Sequence, residues 1–275
     1  MKKFLLFILI QVMVISFVGC GSSDNNKAVL NYVKSEVANS LKKPDTATFC
    51  DDDEFIIKEL ESGKFYVTGY CEGENSYGAM VGNGFNIIVS EDDTGEYSST
   101  DVSFFSANEW KTKRDLENAR MEKENNGEEL LTGDKLDSQL RSQDYYIDST
   151  KIEREEDLYL ATGDMIEAVI KNNSDKTIKN AIVAFVGWDA NGYPVRIKGT
   201  VDITDGSYTK EVSYSGINLE PDKTYGEDSG YEIEESLNIK TIKAIVVSVE
   251  TSNGDKWENP YYVDFVEAYD NKKIN

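Results

Sequence analysis

The stretch AIVAFVGWDANGYPV, residues 181–195, decides the fold of the second half of this chain. Its first eight residues are apolar apart from one glycine. Such a run is typical of a strand that is buried on both faces or lies at the centre of a sandwich. The Asn191-Gly192 pair that follows is a strong signal for a two-residue hairpin turn. The stretch therefore predicts a central strand that turns back into an antiparallel sheet.

The neighbouring segments have the two-residue alternation of half-buried strands. In MIEAVIKNN, residues 165–173, the apolar side chains of Ile166, Ala168 and Ile170 fall on one side. In VRIKGTVDIT, residues 195–204, the alternation predicts four inward-facing residues, Val195, Ile197, Val201 and Ile203. Both segments are therefore expected to add strands that bury one face.

The end of the chain continues this pattern and closes it. Further strands are predicted at 208–217 and 242–250, and Asn253-Gly254 marks a second hairpin. Beyond it, Tyr262, Phe265, Val266 and Tyr269 have helical spacing. Short strands separated by turn signals predict an Ig-like β-sandwich over residues 144–275, with a short C-terminal helix.

The first part of the chain predicts a smaller α+β domain over residues 26–105, with one helix on an antiparallel sheet. Leu30, Val33, Val37 and Leu41 form one stripe of a helix over 25–41. Strand-like segments follow, and Ser62-Gly63 separates two of them as a hairpin turn. The strand segments are EFIIKEL (54–60), KFYVTGYC (64–71), GFNIIVS (84–90) and DVSFF (101–105).

Residues 106–143, between these domains, are highly charged and have little apolar periodicity. They predict an exposed helix to about Glu124, followed by a flexible linker. A coiled-coil partner helix would need sustained heptads, which the segment lacks.

The first 25 residues predict an export signal and a tether. Lys2 and Lys3 precede a short apolar run that ends at Cys20, which is typical of a signal peptide over residues 1–19. The order Ser-Phe-Val-Gly-Cys, residues 16–20, resembles the lipobox of bacterial lipoproteins. That resemblance implies a diacylglycerol on Cys20, a polar tether over 20–25, and a lipid-anchored position on the extracytoplasmic face of the cell membrane. The alternative is an ordinary secreted protein.

Cys50 and Cys71 remain when Cys20 carries a lipid, because the chain has three cysteines. The hairpin register around Ser62-Gly63 brings these two nearly opposite each other. In an oxidising exterior we expect a disulfide, which the loop-entropy model values at about 3 kcal/mol. Two separate thiols are the alternative.

Charge and composition limit the classes of function. The formal charge is −22, which disfavours nucleic acid as a partner. The excess of Lys over Arg, with many Asn and Tyr, indicates a Gram-positive type of genome. The chain contains no histidine, so no mechanism can use an imidazole as base, acid or metal ligand.

Two regions resemble bacterial domains that have no assigned activity. The motifs VGWDANGYPVRIKG (186–199), SYTKEVSYSGINLEPDKTYG (207–226) and GDKWENPYYVDF (254–265) resemble domain of unknown function family 5780. The resemblance implies a sandwich fold and an envelope location, and it implies no reaction. The motifs LKKPDTATF (41–49) and FYVTGYCEGENSYGAMVGNGFNIIV (65–89) resemble a small α+β domain that recurs in bacterial lipoproteins.

The acidic residues give no specific sign of catalysis or metal binding, so we expect no catalytic residue, no cofactor and no metal. Asp51–Glu54 is interpreted as a solvated loop. Calcium ligands could come from two segments, but neither has EF-hand spacing, so acidic turns are favoured. The residues concerned are Glu91, Asp92 and Asp93 in one segment, and Glu220, Asp222, Glu227 and Asp228 in the other.

The aromatic residues near the two hairpins are the candidate binding site. They are Trp188, Tyr193, Trp257, Tyr261 and Tyr262. If both hairpins emerge at one end of the sandwich, these rings would form a patch suited to a glycan or a protein. Alternatively, they fix the hairpins and the last helix to the core.

The sequence therefore favours a noncatalytic binding module at the cell envelope, with an envelope protein or glycan as partner. The alternative is a carboxylate-based enzyme acting on cell-wall polysaccharide.

Overall fold

The computed structural model describes residues 23–154, 163–202, 206–227 and 229–274. The chain divides into two compact units between Trp110 and Lys111, here called the N-terminal and the C-terminal unit. The signal segment and Cys20 lie outside the described residues. Within the described ranges, no helix combines the length and the apolar character needed to cross a bilayer.

The N-terminal unit has one helix on a six-stranded antiparallel sheet. Strands β3 and β4 are central, β1 and β2 both pair with β3, and β5 and β6 both pair with β4. The bounds are α1 Ser23–Ser40, β1 Thr48–Phe49, β2 Ile56–Glu61, β3 Lys64–Glu74, β4 Met80–Glu91, β5 Tyr97–Ser99 and β6 Ser103–Ser106.

The core of this unit lies between α1 and one face of the sheet. Its buried residues include Val33 and Val37 of the helix, together with Phe85, Ile87 and Val89 of β4. Gly63 has φ +73°, a conformation that glycine adopts without strain, and it closes the β2–β3 hairpin. The predicted α+β arrangement is thus present, with six strands in place of the four or so expected.

Cys50 and Cys71 are not joined by a disulfide in the structure. In β1, Phe49 lies opposite Cys71, so the partner of Cys50 is Tyr70, whose carbonyl accepts the Cys50 N–H at 3.1 Å. The pairing is therefore one residue away from direct opposition. Both side chains nevertheless contact the same apolar cluster.

The C-terminal unit contains two antiparallel sheets and the remaining helices. In one sheet, here the β9 sheet, β9 pairs with β10 and β11 on one side and with β14 on the other, and β15 follows β14. In the other, here the β8 sheet, β8 pairs with β7 on one side and with β12 and β13 on the other. The bounds are α2 Ala107–Asn125 (which begins before the boundary), α3 Gly133–Arg141, β7 Tyr145–Glu153, β8 Asp164–Asn172, β9 Ile178–Trp188, β10 Pro194–Val195, β11 Thr209–Leu219, β12 Thr224–Tyr225, β13 Gly230–Ile233, β14 Thr241–Thr251, β15 Lys256–Glu258 and α4 Tyr262–Tyr269.

Strand β9 is buried on both faces, as its sequence predicts. Ala181, Val183 and Phe185 face the β8 sheet and join Ile166 and Ile170 in the core between the sheets. Ala184, Val186 and Trp188 face the opposite way and pack against helices α3 and α4. The unit is therefore a two-sheet sandwich with a helical layer on the outer face of the β9 sheet.

The segment 195–204 is not the alternating strand that was predicted. Ile197 is fully buried and pairs with Ser207, but Val201 is 87% exposed, and Ile203 lies outside the described residues. The reason is a turn at Gly199, whose N–H donates to the Asp202 carboxylate at 2.9 Å. The turn reverses the chain before the alternation can continue.

The predicted linker contains helix α3. Leu136 of α3 is fully buried against the β9 sheet, so this part of 106–143 belongs to the sandwich unit. A nine-residue helix with one deeply buried residue shows little apolar periodicity. The sequence alone therefore predicts flexible chain at this position.

Candidate functional site

The first group of predicted aromatic residues lies at the C-terminal end of β9. Trp188 is fully buried, and its indole N–H donates to the Lys272 carbonyl at 2.7 Å. Tyr193 is 54% exposed, and the Lys273 ammonium lies 4.3 Å from its ring centroid. Both rings thus hold the chain end against the first hairpin.

Trp257 lies at the other end of the sandwich. It pairs with Val249, which pairs with Ala181 at the start of β9. Trp188 is seven residue steps along β9 from Ala181, which is about 23 Å at ~3.3 Å per step. The ring of Trp257 also faces inward and contacts Tyr145. The two hairpins therefore emerge at opposite ends, and the condition for a shared aromatic patch is not met.

Tyr261 and Tyr262 anchor the start of α4. The Tyr262 hydroxyl donates to Glu211 at 2.6 Å, and burial, with the nearby Glu211 charge, raises the pKa of Tyr262 well above its ordinary value. The Tyr261 hydroxyl donates to Gln139 of α3 at 3.2 Å. These contacts support the alternative interpretation, in which the rings fix hairpins and helix to the core.

A groove between α3, β7 and β14, here called the α3 groove, is a concave site of the C-terminal unit, with a volume of about 220 Å³. It lies along residues 241–247 of β14, which pair with β9 on one edge and, among the described strands, with none on the other, because β15 pairs only with residues 248–250. The side chains of Phe265 and Leu140 form an apolar part of the groove's wall. The polar residues that line it are Asp137, Arg141, Tyr146, Asp148, Ser149, Thr150, Lys243 and Asn259.

One wall of the groove is a fixed charged network. The Lys243 ammonium donates to both oxygens of Asp137, at 3.0 and 2.9 Å, and to the Tyr269 hydroxyl at 2.9 Å. Burial alone would lower the pKa of Lys243, but these hydrogen bonds to Tyr269 and Asp137 outweigh it and raise the pKa. Lys243 therefore keeps its proton at neutral pH and is suited to binding, not to service as a base.

Arg141 and Asp148 line the same groove with charges of opposite sign. Both side chains are exposed, and among the described residues neither side chain makes a hydrogen bond or an ion pair within the chain. Asp148 is the extra residue of a β-bulge, since Ile147 pairs with Ile170 and Ser149 with Val169. Bulges redirect side chains and are frequent next to functional sites.

The sequence interpretation missed this groove. Its residues come from 137 to 150 and from 242 to 265, and no short motif contains them. The available signal was the spacing of Leu136 and Leu140, which places two apolar residues on one face of a helix inside an otherwise charged segment.

The other polar clusters have local structural roles. Asp202 accepts hydrogen bonds from Lys210 at 2.6 Å and from Tyr231 at 2.9 Å, which closes the loop after β10. Asp92 accepts the N–H groups of Thr94 and Glu96 in a turn. In the described parts of the chain, no three acidic or cysteine residues are grouped to hold a metal ion. Asp228 lies outside the described residues.

A second exposed feature is the tip of the β3–β4 hairpin in the N-terminal unit. Tyr77 is 96% exposed and Met80 is 52% exposed. The turn is fixed, because the Asn75 side chain accepts the N–H groups of Tyr77 and Ala79 at 2.9 and 3.1 Å.

Residues 165–272 match a family of unknown function, DUF5780. The match covers most of the sandwich, including β14 and α4, and ends before the last residues of the tail. It starts after α3 and β7, so one side of the α3 groove comes from chain outside the matched region.

Comparison with solved structures finds a hypothetical protein from Peptoclostridium difficile 630, determined by X-ray crystallography. It is 14% identical to this chain, with a TM-score of 0.39, and the similarity covers 48% of this chain and 94% of that one. No curated protein matches the chain.

Proposed function

We propose that this chain is a lipid-anchored, extracytoplasmic lipoprotein of a Gram-positive type of bacterium, and that its C-terminal sandwich, of Ig-like type, is a noncatalytic binding module. The ligand is a component of the cell envelope. The observation that carries the binding role is the α3 groove, in which Arg141 and Asp148 have no partner within the described chain. Ionised groups without partners at a concave site are available to a ligand.

The anchor rests on the sequence alone. Lys2, Lys3, the apolar run and Cys20 support it. The N-terminal unit, which resembles a small domain recurrent in bacterial lipoproteins, then follows the anchor directly. We expect cells fed an alkyne analogue of palmitate to label the wild-type protein and not the Cys20→Ala variant, with membrane fractionation as the readout. Equal labelling of both proteins would contradict the anchor.

The extracytoplasmic position also predicts that Cys50 and Cys71 become a disulfide. Both contact one apolar cluster on neighbouring strands. Burial, with the neighbouring Cys50, raises the pKa of Cys71 to about 12, so the partly exposed Cys50 is the thiol that attacks first. Exchange with an oxidised disulfide carrier gives the Cys50–Cys71 bond and releases the carrier as two thiols.

The measurement is the mass of protein taken from the envelope without reduction. We expect it to be two hydrogens lighter than the reduced form. We also expect reduction to lower the free energy of unfolding by about 3 kcal/mol. The Cys50→Ser variant should show neither difference. Labelling of both thiols by iodoacetamide in unreduced, unfolded protein would contradict the disulfide.

The binding role is tested by photo-cross-linking in cells of the native host. A benzoylphenylalanine in place of Tyr146, a partly exposed residue of β7 that lines the groove, reports on contacts there. The matched control places it at Ser213, an exposed position on β11. We expect a specific adduct from position 146 and none from 213. Equal adducts, or none, would count against a binding site at the groove.

A second candidate function is hydrolysis of cell-wall polysaccharide. It is favoured by one observation, that the carboxyl groups of Asp137 and Asp148 both line the groove. Against it, both oxygens of Asp137 accept hydrogen bonds from Lys243, so this carboxyl group is already engaged, whereas glycoside cleavage requires two carboxyl groups that face the sugar. Release of soluble sugar from purified walls by wild type, and its loss in Asp148→Asn, would establish the enzyme.

A further inference from the structure

We propose that the α3 groove binds a small zwitterion, an amino acid or a short peptide that carries both an ammonium and a carboxylate group. This inference rests on the proposed binding function and names the chemical class of its ligand. The unpartnered Arg141 receives the carboxylate, and the bulged Asp148 receives the ammonium.

Electrostatics disfavours ligands of a single charge. A phosphate or other anion would meet Arg141 but also the carboxylates of Asp148 and Asp137. A divalent cation would meet those carboxylates but also the ammonium of Lys243 and the Arg141 guanidinium. A ligand with one positive and one negative group can pair with both Arg141 and Asp148. Neither residue then faces a ligand group of its own sign of charge.

The two ionised groups differ in the geometry they recognise. The planar guanidinium of Arg141 presents parallel N–H donors that match the two oxygens of a carboxylate. The Asp148 carboxylate accepts hydrogen bonds only, which suits an ammonium group. Ser149, next to the bulge, adds a hydroxyl on the same wall.

The walls and the size of the groove limit the ligand further. On one wall, Asp137, Lys243 and Tyr269 already satisfy one another, which leaves Arg141 and Asp148 as the charged side chains without partners. Leu140 and Phe265 add apolar surface that suits a short aliphatic side chain. The volume of about 220 Å³ is below the roughly 300–1,000 Å³ typical of sites for drug-sized ligands, which favours one or two amino-acid residues.

The test is isothermal titration calorimetry on the full chain in detergent. The probes are alanine and alanyl-alanine of both chiralities, with N-acetylalanine and alanine amide as analogues that each lack one charge. We expect at least one zwitterion to bind more tightly than about 1 mM. Removing either charge should weaken binding at least ~10-fold, since hydrogen bonds to charged groups contribute about 1.5–3 kcal/mol. The amino acids and the dipeptides distinguish a free amino acid from a peptide as the source.

Two variants assign the charges to their receptors. With Arg141→Gln, the amide should bind as well as the acid, because the carboxylate no longer has a receptor. With Asp148→Asn, the N-acetylated analogue should bind as well as the free amine. Matched controls are Arg196→Gln and Asp175→Asn, at exposed positions of the same unit outside the groove, which should leave binding unchanged.

Two results would overturn the inference: no zwitterion binds, or binding is the same in Arg141→Gln and Asp148→Asn as in wild type. The binding function is judged separately by the cross-linking at position 146. An adduct at 146 without zwitterion binding would reject the ligand class and leave the groove as a binding site. If neither the cross-linked adduct nor zwitterion binding is observed, the binding function is rejected as well.

Discussion

The Trp188→Ala variant is expected to lower the free energy of unfolding of the C-terminal unit by about 3–5 kcal/mol, the range for removing a large buried aromatic side chain. Trp188 is fully buried, packs edge-on against Tyr269 with 5.9 Å between centroids, and donates its indole N–H to the Lys272 carbonyl. It therefore connects β9, helix α4 and the tail that follows α4. Alanine leaves a cavity at this junction and a carbonyl without its donor.

Urea unfolding followed by circular dichroism measures this change. Trp188→Phe keeps most of the apolar volume and loses the donor, so we expect a smaller loss of about 1–3 kcal/mol. The matched control is Tyr193→Ala, five residues away on the same hairpin but half exposed, which should change stability by about 0.5 kcal/mol or less. A loss below ~1 kcal/mol for Trp188→Ala would contradict the junction described here.

Asp264→Ala is expected to destabilise the same unit by about 3–5 kcal/mol, because it breaks a buried ion pair and leaves one charge without its partner. Asp264 is fully buried in the first turn of α4. One oxygen accepts the Leu131 N–H at 2.7 Å, and the other pairs with the Lys123 ammonium. Through Lys123 and Leu131, this carboxylate connects the end of α2 and the chain just before α3 to the first turn of α4.

The control for Asp264 is a surface pair of the same type. Asp255 pairs with Lys176 at 2.9 Å, and both side chains are about half exposed. Asp255→Ala should therefore cost less than about 1 kcal/mol. Replacing both buried partners, as Lys123→Met with Asp264→Leu, should be less harmful than Asp264→Ala, since no unpaired charge remains. Equal effects for Asp264→Ala and Asp255→Ala in urea unfolding would show that the buried pair has no special role.

Short sequence patterns predicted the strands and turns whose conformation depends mainly on neighbouring residues. The apolar run at 181–188 is continuous because β9 is buried between a second sheet and two helices. Asn191-Gly192 and Asn253-Gly254 lie in hairpin turns, with their glycines at positive φ of +75° and +85°. Each turn has three loop residues, so the two-residue turn predicted at Asn191-Gly192 is wrong in length: the Asp189 N–H donates to the Tyr193 carbonyl, and the Thr251 N–H to the Asp255 carbonyl. Such features depend on neighbouring residues, so the sequence displays them directly.

Features that depend on distant contacts were missed or wrongly predicted. Val201 continues an apolar alternation, but the Asp202 carboxylate, bound by Lys210 and Tyr231, fixes a turn there. The partner of Cys50 is Tyr70 because the pairing at β1 and that at the β2–β3 turn differ in register. The α3 groove combines a helix, a bulge and a stretch of β14 that pairs with β9 on one edge only, and such a combination exists only after folding.

Hydrogen–deuterium exchange tests the claim that the α3 groove is the binding face. The full chain is compared with and without an envelope extract of its native host. We expect slower exchange in peptides that cover residues 137–150 and 241–247, and unchanged exchange in those that cover the hairpin tip at 75–81. Protection at 75–81 alone, or at no peptide, would contradict the claim.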